Sequence, residues 1–84
     1  MTRTLPLGKM MISTSQEFGA RVARGRRALG LTQRDLALAI GVGERFIVDL
    51  EGGKPTAQLG KALAAAKAVG VRLVDAADSA GSTL

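Results

Sequence analysis

The sequence predicts an all-α fold, one compact domain of four to five short helices closed by a short C-terminal β-strand. Three observations carry that expectation. Apolar residues recur at helical spacing in several short segments. Glycines at 30, 41, 52, 53 and 70 punctuate those segments, as glycine does where a helix ends in a left-handed residue. Residues 71–74 (Val-Arg-Leu-Val) are rich in branched side chains and too short for a helix of their own. A chain of 84 residues forms a single small domain that buries only about 60% of its unfolded surface. Such a domain is marginal alone, so association with a second copy is expected.

The elements follow in order. Residues 1–14 have no sustained period, are interrupted by Pro6 and Gly8, and are read as a flexible arm. Ser15 is the expected N-cap of the first helix, with Glu17 in the first turn where the dipole favours a carboxylate. Phe18, Val22, Gly25 and Leu29 fall in one sector of about 60°; Arg24 and Arg27 point away, Arg26 flanks the stripe, and Gly30 ends the helix. Thr32 caps a second helix, and Asp35 is placed to reach back to it in a shortened capping box. Leu36, Ala37 and Ile40 form its buried face, and Gly41 stops it. The third helix runs from Glu44 to Glu51 with Ile47 and Leu50 inward, Phe46 at the edge, and Glu44, Arg45, Val48 and Asp49 outward.

Gly52-Gly53-Lys54-Pro55 is a turn by composition. Thr56 caps a fourth helix from Ala57 to Val69, with an inner stripe of Leu59, Ala62, Leu63, Ala66 and Val69. Its many alanines let neighbouring helices approach closely. The strand is expected over 71–75 and a disordered tail over 76–84, so the working domain is 15–75.

Composition removes most functions. Cysteine and histidine are absent, which excludes disulfides, zinc fingers, thiolate chemistry and imidazole acid/base catalysis. Phe18 and Phe46 are the only aromatic residues, too few for a platform that stacks single-stranded bases. No nucleophile sits beside a plausible base, and Asp75 and Asp78 read as tail solubility, so the chain is not expected to be an enzyme. No cofactor or metal is expected. The longest apolar run near the N-terminus, Met10-Met11-Ile12, is too short for a signal-peptide core or a membrane span, and a cytoplasmic protein is expected.

The net charge is +5, and it is uneven: residues 1–34 carry +6 and residues 35–84 carry −1. Arg21, Arg24, Arg26, Arg27 and Arg34 lie close together in sequence, a basic surface that suits a polyanion or simply solvates a helix face. Position on the fold decides between these. Two short helices joined by Gly41-Val42-Gly43 have the form of a helix-turn-helix, with Val42 plugging the angle between the helices. The second of the pair keeps a short apolar inner face and an outer face free to enter a major groove.

Residues 22–54 resemble the Cro/repressor-type helix-turn-helix domain, the xenobiotic-response-element class. The residues that carry the likeness are Val22, Arg26, Leu29-Gly30-Leu31-Thr32-Gln33, Leu36-Ala37, Gly41-Val42, Ile47, Leu50-Glu51 and Gly53-Lys54. The stretch from Gly41 to Leu73 is similar to the HipB-type antitoxins, through Phe46-Ile47, Gly53-Lys54-Pro55-Thr56, Leu59-Gly60-Lys61 and Val69-Gly70-Val71-Arg72-Leu73. The resemblance implies a lambda-repressor-like fold. It implies that Thr32 and Gln33, with Arg34 beside them, lie against the DNA backbone at the start of the second helix, where free amides suit a phosphate. It implies that Gly43, Glu44, Arg45, Phe46 and Asp49 face the groove, with Arg45 bidentate to a guanine, and that Lys54 lies near the phosphates. It assigns Arg26 and Glu51 to a buried structural ion pair, and Val71, Leu73 and Val74 to a strand that pairs across a homodimer. Such a dimer would bind a palindromic operator in double-stranded DNA, with half-sites about 34–36 Å apart. The antitoxin likeness further implies repression of its own promoter and a HipA-like kinase toxin as partner.

The sequence departs from that family at two places. Gly43 and Val48 stand where the family often has Ser or Thr, and Val48 cannot donate to a phosphate. Glu44 and Asp49 put two carboxylates on the presumed reading face, where each needs a base donor such as the cytosine amino group. Arg45 and Asp49, four apart, can equally pair with each other, and the fold could then serve as a protein-interaction module that binds no DNA.

Overall fold

The computed structural model describes residues 12–56 and 58–74. Among them are four helices and no strand: α1 (Ser15–Ala28), α2 (Gln33–Ile40), α3 (Glu44–Glu51) and α4 (Leu59–Ala68). The all-α class stands, with four of the four to five expected helices among the described residues. The expected strand is not formed. Val71 N donates to Ala66 O at 2.9 Å, and the Val71 side chain is buried in its own core. The residue that would begin a ladder instead closes α4. The expectations for residues 1–11 and 75–84, Asp75 included, lie outside the described residues.

Helix starts are set by short-range polar contacts. α1 is capped by Thr14, one residue before the expected Ser15: Thr14 Oγ1 accepts from Glu17 N at 3.0 Å. Glu17 in turn accepts from Ser13 N at 2.6 Å and Ser13 Oγ at 2.9 Å, and these bonds hold its carboxyl below the ordinary range. Ser15 is freed for a tertiary tie, donating from Oγ to Gly53 O at 2.7 Å. The capping box of α2 is complete, with Asp35 N on Thr32 Oγ1 and Thr32 N on Asp35 Oδ2, both at 2.9 Å. The Thr32 N–H, and then its hydroxyl, lower the Asp35 pKa. α4 begins at Leu59, and the expected first residue, Ala57, lies outside the described residues. Thr56 is not the cap: Gln58 holds that place without a side-chain cap, and Thr56 Oγ1 accepts from Gln58 N at 3.0 Å ahead of the helix.

Val22, Leu36 and Ile47 are the largest fully buried side chains, one each from α1, α2 and α3. α3 packs against both α1 and α2, and α4 covers α2 and α1. Phe18, Ile40, Val42 and Phe46 pack on this cluster from its rim. Two inner stripes are rotated from expectation. In α1 the buried positions are Gly19, Val22, Ala23 and Arg26, while Leu29 is 57% exposed. In α4 they are Ala62, Ala65 and Ala66, while Leu59 and Leu63 are 64% and 42% exposed. At α1, backbone approaches the small residues. A Cβ on Gly19 would lie 2.9 Å from Glu51 O, and one on Gly25 2.7 Å from Val69 O. The helices are too close there for a leucine to fit between them.

These contacts predict opposite outcomes for two glycine substitutions. Gly19→Ala drives a methyl into the last carbonyls of α3 and should cost about 1–3 kcal/mol in urea unfolding, despite the gain in helix propensity. Gly60→Ala meets open space at the start of α4 and should stabilise by about 0.4–1 kcal/mol.

The lowered carboxyls give a pH dependence of definite sign. Glu17 and Asp35 lose their protons more readily folded than unfolded. Their contribution is complete above the ordinary carboxyl range and is lost as pH falls through the lowered folded values. Asp35→Asn should therefore flatten the decline of Tm in thermal melts taken below about pH 4.

Candidate nucleic-acid interface

α2 and α3 are joined by Gly41, Val42 and Gly43. Gly41 takes φ +74°, ψ +36°, a left-handed conformation that suits a residue without Cβ. Val42 N donates back to Ala37 O at 3.0 Å, and its side chain packs on the core between the helices. Gly43 then turns extended and serves as the N-cap of α3 without a side-chain cap. Ile47 and Leu50 anchor the inner face of α3, and Glu44, Arg45 and Val48 are exposed on the other.

The far end of α3 is locked by an ion pair. Arg26 Nε donates to Glu51 Oε2 at 2.7 Å and Arg26 Nη2 to Glu51 Oε1 at 2.9 Å. Arg26 Nη1 donates to Leu31 O at 2.8 Å. The side chains are only 10% and 5% exposed, and the hydrogen bond to Glu51 raises the Arg26 pKa from a value already high. Gln33 Nε2 donates to Glu51 Oε1 at 3.0 Å, which ties the first residue of α2 to the last of α3. That bond was not legible in the sequence, because nothing in the spacing of Gln33 and Glu51 signals it.

The remaining candidate residues divide into two groups. Thr32, Gln33 and Arg34 stand at the start of α2, Thr32 serving as its cap and Arg34 exposed. Arg45, Asp49 and Lys54 are drawn together: Arg45 Nε lies 3.2 Å from Asp49 Oδ1, and Lys54 Nζ 3.7 Å from Asp49 Oδ2. Phe46 is half-buried and shares with Asp49 and Lys54 the wall of a cavity of about 190 Å³. Of the three residues expected to pair across a dimer, Val71 is in its own core, while Leu73 and Val74 are exposed. Among the described residues no group of three His, Cys, Asp or Glu could hold a metal ion, and no helix is long and apolar enough to cross a membrane.

A helix, a short glycine-flanked turn and a second helix, anchored within and polar without, define a helix-turn-helix protein. The chain belongs to the Helix-turn-helix family, whose pattern it matches over residues 22–75. It is similar to the "Uncharacterized HTH-type transcriptional regulator y4mF" of Sinorhizobium fredii (strain NBRC 101917 / NGR234), with 51% identity over 59 residues, covering 70% of this chain and 78% of the relative. No solved structure matches the chain.

Glu51→Ala leaves a buried guanidinium without its carboxylate and should destabilise the domain by about 3–5 kcal/mol in urea unfolding. That is comparable with the whole stability of a domain this small.

Proposed function

We propose that the protein is a sequence-specific DNA-binding transcription regulator that presents α3 to a major groove. The observation that carries this reading is the geometry of α3, with Ile47 and Leu50 buried below and Glu44, Arg45 and Val48 exposed above. Membership of the Helix-turn-helix family and the likeness to a relative named as a transcriptional regulator support it. In this reading Thr32, Gln33, Arg34 and Lys54 meet the phosphates. Gly43, Glu44, Arg45, Phe46 and Asp49 face the base edges, and Arg45 makes the forked contact to a guanine.

The working unit is a homodimer on a palindromic operator. Apolar surface left over by the single chain supports it: Leu63, Leu73 and Val74 line a groove of about 270 Å³, and the backbone beyond Val71 forms no ladder within the described residues. An apolar segment without backbone partners is covered by pairing with its symmetry mate. The likeness to HipB-type antitoxins supports a finer reading, in which the dimer represses its own promoter in the cytoplasm and binds a HipA-like kinase toxin. A second reading, a protein-interaction module, draws on the Arg45–Asp49 pair, which occupies the arginine with a partner in its own helix.

Binding of the full chain to duplex DNA from upstream of its own gene, titrated against salt, separates these. A regulator should bind selectively and lose affinity steeply as salt rises, because each phosphate contact releases counterions. Arg45→Ala should lose about 1–3 kcal/mol of discrimination at one base position in each half-site. Absence of salt-sensitive, selective binding would sink the regulator reading.

A further inference from the structure

Asp49 is hard to account for by the stability of the fold. It lies in the last turn of α3, where the helix dipole disfavours a negative charge, and no basic residue lies in that turn. Glu51, in the same turn, is explained by Arg26. Among the described residues Asp49 is matched only by surface partners, Arg45 with its side chain 83% exposed and Lys54 with its side chain 68% exposed. Exposed pairs of this kind contribute little to stability. Asp49 itself is the least exposed of the three, at 28%. One short, half-buried carboxylate therefore tethers two long, flexible cations, one on each oxygen.

Those cations are the two that the proposed function assigns to different tasks, Arg45 to a base and Lys54 to the backbone. The Arg45 atom nearest Asp49 is Nε, at 3.2 Å in an ion pair, a contact at the inner side of the guanidinium that would let the Nη1–Nη2 edge make a two-pronged contact to guanine O6 and N7. The carboxylate also lowers the positive charge of a surface that would otherwise grip any phosphate backbone. Glu44, exposed in the first turn of the same helix, has no ion pair among the described residues and lowers the same charge.

Resting on the proposed function, we infer that Asp49 is the positioning and specificity-determining residue of this interface. It holds Arg45 in register for a guanine and restrains Arg45 and Lys54 from indiscriminate phosphate binding. Sequence choice then comes from restrained cations and not from added ones. An unrestrained arginine on this helix can reach a phosphate as easily as a base. The restrained one gives up that freedom before it meets DNA, so less entropy is lost on the correct site.

The test uses the full-length protein and two duplexes, the fragment upstream of its own gene and a scrambled fragment of equal length and composition. Asp49→Asn keeps the shape and removes the charge. It should tighten binding to the scrambled duplex about tenfold at low salt and weaken binding to the upstream fragment, where Arg45 is no longer held for its base, so selectivity falls. The salt dependence on scrambled DNA should steepen by about 0.9 for each additional phosphate neutralised. Asp49→Glu, which restores the carboxylate, should return scrambled-duplex binding toward wild type. In an Arg45→Ala background, Asp49→Asn should change selectivity much less, the remainder coming from the release of Lys54. If Asp49→Asn leaves the ratio of the two affinities within about twofold, or weakens both equally, the assignment is overturned while the regulator reading stands. Persistence of the full effect without Arg45 overturns it as well. A wild-type protein without selectivity overturns both.

Discussion

The placing of α3 depends on one buried carboxylate. Glu51 accepts from two nitrogens of Arg26 and from Gln33, and the third nitrogen group of Arg26 is taken up by Leu31 O. Those four residues belong to the end of α1, the loop after it, the start of α2 and the end of α3. A buried ion pair adds little net stability over a well-packed apolar pair, but its loss on one side is severe. What it supplies here is geometry. Fork-to-fork contact fixes both distance and plane, so the orientation of α3 against α1 is set by directional bonds as well as by the non-directional burial of Ile47 and Leu50.

A second constraint is the closeness of the backbones. Gly19 sits under the terminal carbonyls of α3, Gly25 against Val69, and Gly53 accepts the Ser15 hydroxyl at its carbonyl. Close approach replaces side-chain volume as the means of filling space, which is why four of the buried core residues are not leucine, isoleucine or valine but Ala37, Ala62, Ala65 and Ala66. It has a consequence at the surface. The leucines of α4, displaced from the seam by alanines, stay outside, where Leu59, Leu63 and the following Leu73 and Val74 leave apolar area exposed.

The same packing explains what was legible in the sequence and what was not. Helix ends were legible, because Gly30, Gly41, Gly53 and Gly70 all take positive φ and because Thr32 and Asp35 spell a capping box within one turn. The α2–α3 unit was legible for the same local reasons. The buried faces of α1 and α4 were not, since a periodicity argument weights large apolar side chains and here the seam selects the small ones. Thr14 takes the cap from Ser15 because Ser15 is needed at Gly53, a contact 38 residues away that no local pattern shows. Val71 reads as strand by composition, yet its amide is claimed by the end of α4. At the site, the pairing of Arg45 with Asp49 follows from helical spacing, whereas Lys54 reaches Asp49 only because the turn after α3 folds back.

The net charge of +5 first suggests attraction to DNA, but its distribution gives it a narrower meaning. The excess lies in the first 34 residues, and α3 carries one base against three acids. Of those acids, Glu51 is buried against Arg26, Asp49 is shared by Arg45 and Lys54, and Glu44 stands exposed at the helix start. Long-range attraction to a polyanion can come from α1 and the entrance to α2, where Arg24, Arg27 and Arg34 are exposed. α3 is then released from supplying affinity. A helix with more acids than bases binds DNA weakly wherever its contacts fail to match, and mismatch is penalised only when attraction is supplied elsewhere. In the proposed role, this separation leaves attraction to α1 and the entrance to α2, and choice to the exposed groups of α3.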